Sequence, residues 1–97
     1  MSNEVTVVDN KDRLRYEVHV GGELAGVLTY RVEDGVAVLP HTQVEPRYEG
    51  RGLGALLAQT ALDDAREAGL KVAPWCSFIA AFIQRNPEYA DLVAPGV

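Results

Sequence analysis

Three glycines at alternate positions, in Gly50-Arg51-Gly52-Leu53-Gly54, stand immediately before the longest helical pattern of the chain. Glycine adopts backbone angles denied to other residues, and the first turn of a helix carries N–H groups with no partner inside the helix. An anion, phosphate above all, is the natural ligand of that arrangement, and Arg51 adds a charge able to pair with phosphate oxygens. The same glycines also fit a blander reading, in which they only turn a strand tightly into a helix. The pattern is not a dinucleotide fingerprint, which needs a two-residue gap before its last glycine. Nor is it a P-loop, which needs Gly-Lys-Ser/Thr.

Two further side chains carry reactive groups. His41 follows the apolar run at residues 36–39 and lies close to the glycine loop in sequence. Its intrinsic pKa suits it to accept a proton near neutral pH, and it also fits a partly buried, hydrogen-bonded strand histidine. Cys76 precedes a helix start at Ser77, a position that lowers a thiol pKa. The other reading of a lone cysteine is a small buried hydrophobe. One cysteine excludes an internal disulfide, and His19 and His41 alone do not make a metal-ligand set, so no metal is expected.

The elements that position these residues follow from the spacing of apolar side chains. Residues 5–8 read as a first strand ending at Asp9-Asn10. Over residues 13–20, Leu14, Tyr16, Val18 and Val20 fall on one face and Arg13, Arg15, Glu17 and His19 on the other, a strand with a core side and a wet side. Gly21-Gly22 marks a tight hairpin, Leu24, Gly26, Leu28 and Tyr30 resume the alternation, and Asp34-Gly35 marks the next turn. Residues 36–39, apolar on both faces, suit a central strand.

From Gly52 the period lengthens to about 3.6, with Leu53, Leu56, Leu57, Thr60, Ala61, Ala65 and Ala68 on one stripe and Asp63, Asp64, Arg66 and Glu67 on the wetter side. Gly69 stops this helix. Residues 70–73 make a short strand, Ser77 caps a helix over residues 78–84, and Pro87 opens a last turn over residues 88–92. Trp75, Phe78 and Phe82 read as core. The predicted fold class is α+β (mixed α/β): four antiparallel strands, a long helix, a fifth strand and short C-terminal helices around one sheet.

Ninety-seven residues hold one modest core, so a single domain over residues 1–97 is expected. A hydrophobic fraction of 47% and a charged fraction of 24% are those of an ordinary globular chain. The net charge of -5 argues against a nucleic-acid partner, whose affinity rests on clustered Lys and Arg. No apolar run reaches the roughly 20 residues of a membrane span, and the start Met1-Ser2-Asn3-Glu4 lacks a signal peptide's basic and apolar stretches. The expectation is a cytoplasmic protein without membrane contact, monomeric or weakly dimeric.

The loop resembles the central motif of the GNAT superfamily of acyl-CoA-dependent N-acetyltransferases, Arg/Gln-x-x-Gly-x-Gly/Ala between the fourth strand and the following helix. Here the motif is Glu49-Gly50-Arg51-Gly52-Leu53-Gly54. With His41-Thr42-Gln43-Val44-Glu45-Pro46, Pro74-Trp75-Cys76-Ser77-Phe78 and Asn86-Pro87-Glu88-Tyr89, the chain from Tyr16 onward is similar to the small single-domain members of that superfamily. The resemblance implies acetyl-CoA as co-substrate, bound through Thr42, Gln43, Val44, Glu49, Gly50, Arg51, Gly52, Leu53, Gly54 and Asn86. The acceptor it implies is a primary amine of a protein or small molecule, and His41 and Cys76 are the implied active-site pair.

Direct transfer to the amine and an acyl-Cys76 intermediate both fit that resemblance. So does a non-catalytic CoA-binding or interaction module. Tyr89 is either the acid that protonates the CoA thiolate or a packing residue of the C-terminal turn, and Glu45 is a weaker alternative base. Glu49 departs from the Arg or Gln usual at its position. Backbone amides, the helix dipole and Arg51 or Arg47 compensate for it.

Overall fold

The computed structural model describes residues 4–96; residues 1–3, on which the reading of the N-terminus partly rests, and residue 97 lie outside them. The alternating segments build five strands: β1 (Val5–Asn10), β2 (Arg15–Val20), β3 (Glu23–Glu33), β4 (Val36–Val44) and β5 (Lys71–Ala73). They form one sheet in sequence order, antiparallel from β1 to β4 and parallel between β4 and β5. The helices are α1 (Leu53–Glu67) and α2 (Ser77–Arg85), with 3₁₀ turns at Pro46–Tyr48 and Pro87–Leu92. This is the mixed α+β architecture that the alternation and the change of period predict.

Turn chemistry sets the register. Gly21 and Gly22 both take positive φ (56° and 87°), as do Asp34 and Gly35 (52° and 77°). Two successive left-handed residues make the two-residue hairpin whose twist matches that of the strands it joins. Val20 therefore pairs with Glu23, and Glu33 with Val36.

Within the sheet, three places depart from the predicted strands. Leu14 belongs to the β1–β2 turn, not to β2: its φ is 53° and half of its surface is exposed. Leu24 is exposed as well, because β3 carries an extra residue against β2. His19 faces Leu24 and Val18 faces Gly26, so Ala25 is bulged between them and takes the buried position. In β4 the chain does not stop at Leu39. Thr29 pairs with His41 and Arg31 with Val38, leaving Leu39 and Pro40 opposite Tyr30 alone. A bulge is where a sheet tolerates a proline, which has no N–H to give to a ladder.

The core lies between the sheet and α1, which buries Leu53, Leu57, Ala58, Ala61, Leu62 and Ala65 against Tyr16, Val18, Leu28 and Leu39. Asp63 and Asp64 stay exposed on the helix yet tie it down: Tyr89 donates its phenol to Asp63 at 2.7 Å and Tyr16 donates to Asp64 at 2.8 Å. Tyr30 donates to Asp9 at 2.6 Å across the sheet. Among the described residues no helix is long and apolar enough to cross a membrane.

These phenols make stability fall with alkali. Burial and the Asp9 hydrogen bond push Tyr30 up to about 12, and the Asp63 hydrogen bond with burial pushes Tyr89 up to about 12, from an ordinary 10.0. Tyr16 is raised too, by burial and by Asp64. The native chain thus holds protons that the unfolded chain has lost, so this stabilisation is complete below pH 10 and disappears as pH rises towards 12. Urea midpoints measured at rising pH are expected to drop through this window, and to drop less steeply in Tyr89→Phe, which has no phenol to ionise.

Candidate cofactor cleft and active site

The glycine loop is anchored before it begins. In the 3₁₀ turn after β4, Tyr48 is buried and donates its hydroxyl to Glu23 of β3 at 2.6 Å, and Arg47 pairs with the same carboxylate. That hydrogen bond and the Arg47 charge hold Glu23 below the usual carboxylate range. The chain then passes through Gly50 (φ 82°) and Gly52 (φ 75°), with Gly52 in the cap position of α1 and no side chain capping the helix. The first amide of this stretch with an acceptor in the chain is that of Leu56, which donates to the Gly52 carbonyl at 3.1 Å. Among the described residues, the N–H groups of residues 50–55 donate to no backbone acceptor.

Gly54 has a different reason to be glycine. A Cβ there would stand 2.9 Å from Cζ of Phe78, so the missing side chain is what lets α2 close against α1. Between the two helices and the end of β4 lies a cleft of about 620 Å³. Thr42 and Val44 line it from β4. Glu49, Gly50, Gly52, Leu53, Gly54 and Ala55 line it from the loop and the first turn of α1. Phe78, Phe82, Arg85 and Asn86 form the facing wall.

Cys76 sits where β4 loses its parallel neighbour. The last paired residues are Val38 and Ala73. Beyond them the Cys76 N–H donates to the Leu39 carbonyl at 3.0 Å, and its Sγ lies 3.6 Å from Thr42 Oγ1. Cys76, not Ser77, holds the cap position of α2; Ser77 is the first helical residue. Burial opposes ionisation of the thiol, but the Thr42 hydroxyl and the amides of Ile79 and Phe78 in the first turn of α2 stabilise the thiolate. The net effect holds Cys76 below the ordinary thiol value.

His41 is not brought to Cys76. It is exposed, its Nε2 lies 3.4 Å from Gln43 Oε1, and Thr29 donates to its carbonyl. Successive residues of a strand point to opposite faces, so His41 and Gln43 share the face turned away from the Thr42 side. Neither lines the cleft, although Gln43 is among the expected binding residues. Arg51 stacks its guanidinium 5.3 Å from the Tyr48 ring centroid. Arg47, the other expected compensating charge, is occupied by Glu23. Asn86 borders the cleft and spends its Nδ2 on the Phe82 carbonyl. Tyr89 packs 6.0 Å from Phe82 with its proton committed to Asp63, the packing alternative of its two readings. Among the described residues no cluster of three or more His, Cys, Asp or Glu stands ready to hold a metal ion.

Residues 15–92 match the family model described as GCN5-related N-acetyl-transferase. The chain belongs to the GCN5-related N-acetyltransferase family. Protein NATD1 of mouse is 30% identical over 95 residues, covering 94% of this chain and 86% of the mouse protein, and the human protein is 30% identical over the same length. A GCN5-like protein from Staphylococcus aureus, solved by NMR, superposes with a TM-score of 0.69 at 27% identity, over 97% of this chain and 91% of its own. The ribosomal-protein-S18-alanine N-acetyltransferase of Escherichia coli shares the fold at a TM-score of 0.63 and 23% identity, over 74% of this chain and 50% of its own.

Within this family fold, the wall formed by α2 is what the sequence reading missed. Trp75 and Phe78, read as core, are exposed to 60% and 37%. Phe78 faces the cleft, while Trp75 stacks against Arg31, whose guanidinium lies 4.9 Å from its ring centroid. Phe78, Phe82 and Arg85 are spaced i, i+4 and i+7, the signature of one helical face, so the sequence did carry a signal for this wall.

Proposed function

We propose that this chain binds acetyl-CoA along the cleft and transfers the acetyl group to a primary amine. The observation that carries this reading is the run of N–H groups at residues 50–55, without backbone acceptors, along a cleft of about 620 Å³. Such a run at a helix N-terminus is a ready site for a pyrophosphate. Phe78 and Phe82 offer apolar cover for the pantetheine arm, and Thr42 leads to Cys76 at the reactive end.

Acetyl-CoA supplies the thioester carbonyl and the thiolate that leaves. In one route the Cys76 thiolate takes the acetyl group, CoA departs and picks up a proton, and the amine then displaces Cys76. In the other the amine attacks the thioester directly, losing its proton to water, because His41 faces away from the cleft, and Cys76 stays unmodified. The depressed thiol pKa favours the first route; the separation of His41 from Cys76 argues against a cysteine-histidine ion pair in either. The competing reading is a CoA-binding module without turnover; Glu49 in the cleft wall opposes a bound pyrophosphate in either reading.

Calorimetric titration with acetyl-CoA tests binding; no heat of binding would remove both readings. Incubation with labelled acetyl-CoA and a panel of amines, followed by intact mass, separates enzyme from module. Cys76→Ala is expected to abolish the mass increase of the protein and its turnover if the acyl-cysteine is obligatory, whereas unchanged turnover leaves direct transfer. In the unmodified protein, alkylation of Cys76 against pH is expected to show a midpoint below that of the same cysteine in the unfolded chain.

A further inference from the structure

The chain carries nine Lys and Arg against fourteen Asp and Glu, so a cation without a carboxylate partner is conspicuous. Lys11, Arg15, Arg31, Arg47 and Arg66 each pair with a carboxylate, and Lys71 donates to the Asp91 carbonyl. Among the described residues that leaves Arg13, Arg51 and Arg85 with neither kind of partner. Arg13 stands in the turn between β1 and β2, Arg51 inside the glycine loop, and Arg85 in the cleft wall formed by α2.

We propose that Arg85 determines ligand specificity, by holding a phosphomonoester that the glycine loop does not hold, and so selects CoA over its 3′-dephospho form. This rests on the reading of the cleft as a CoA site. The amides of residues 50–55 are neutral donors and suffice for one pyrophosphate. A phosphomonoester adds close to two further negative charges near neutral pH. Glu49 lies in the same cleft wall and the whole chain is acidic, so bringing that group in without a cation is unfavourable.

Arg85 stands two helical turns beyond Phe78, the residue that touches Gly54, or roughly 10 Å along α2. It is exposed on a long stem, and a guanidinium receives phosphate oxygens in pairs. The structural alternative is that Arg85 only complements the C-terminal dipole of α2, a small effect on stability that no ligand would sense.

The test is calorimetric titration of CoA and dephospho-CoA into the unmodified chain, Arg85→Gln and Arg85→Lys, with thermal melts of each protein alone. The unmodified chain is expected to prefer CoA by about tenfold, the worth of one hydrogen-bonded charge. Arg85→Gln should bring the two affinities together by weakening CoA alone, and Arg85→Lys should restore part of the preference. The salt dependence of CoA binding should be shallower in Arg85→Gln. Equal weakening of both ligands, or a melting shift with selectivity intact, overturns the proposal in favour of a structural role. An unmodified chain that binds both ligands equally overturns it as well. An unmodified chain that binds neither overturns the CoA reading itself, a distinct result.

Discussion

Replacing Gly52 by Val is expected to weaken CoA binding a hundredfold or more while the domain still folds. Gly52 caps α1 at φ 75°, and a Cβ placed there meets no atom within 4 Å, so the substitution is not refused by crowding. The cost is conformational: a β-branched residue in the left-handed region is strained by about 1–3 kcal/mol. That strain is relieved by turning the residue back to negative φ, which swings the loop amides of residues 50–52 away from the cleft. Losing two hydrogen bonds to a charged pyrophosphate at about 1.5–3 kcal/mol each amounts to a hundredfold or more, since each 1.4 kcal/mol is tenfold. The core of α1 begins at Leu53 and does not depend on the cap, so far-ultraviolet circular dichroism should be nearly unchanged. Affinity within threefold of the unmodified chain would show that the loop amides do not carry the ligand.

The loop and its helix were legible in the sequence because both are local. Glycines before a period of 3.6 announce a helix N-terminus, and the Gly21-Gly22 and Asp34-Gly35 pairs announce hairpins whose φ angles the fold then adopts. What escaped depends on partners distant in sequence. The bulge at Ala25 turns Leu24 outward only because Val18 takes Gly26 as its partner, and nothing in the residues around Leu24 records that. The bulge at Leu39 and Pro40 carries β4 on to Val44, and with it sets Thr42 on the cleft side and His41 on the other.

That parity decides how the two reactive side chains can work together. Nearness in sequence suggested that His41 belongs with the loop, yet alternation along a strand sends neighbours to opposite faces, and Thr42, one residue further, is the one that meets Cys76. Gly54 makes the complementary point. Its place in the motif was visible, but its reason, the ring of Phe78 against its Cα, belongs to a helix more than twenty residues away in sequence.

Leu28→Ala is expected to be the most damaging single change to stability, costing about 2–5 kcal/mol. Leu28 is fully buried at the middle of β3, between Tyr16 on β2 and Thr42 on β4, and belongs to the cluster packed under α1. A chain of this length has a total stability of roughly 5–15 kcal/mol, so the variant is expected to melt far below the unmodified protein and to be partly unfolded at the lower end of that range. The loss should appear as a lower urea midpoint at nearly unchanged slope, because the surface exposed on unfolding hardly differs. The direct pairing of Leu28 with Thr42 links this core position to the cleft. CoA at a hundred times its dissociation constant would return about 2.7 kcal/mol to the native state. Its presence is therefore expected to recover much of the lost midpoint in Leu28→Ala and little of it, about 0.4 kcal/mol at most, in the double variant with Gly52→Val. That contrast separates a ligand held by the loop from one that stabilises the protein elsewhere.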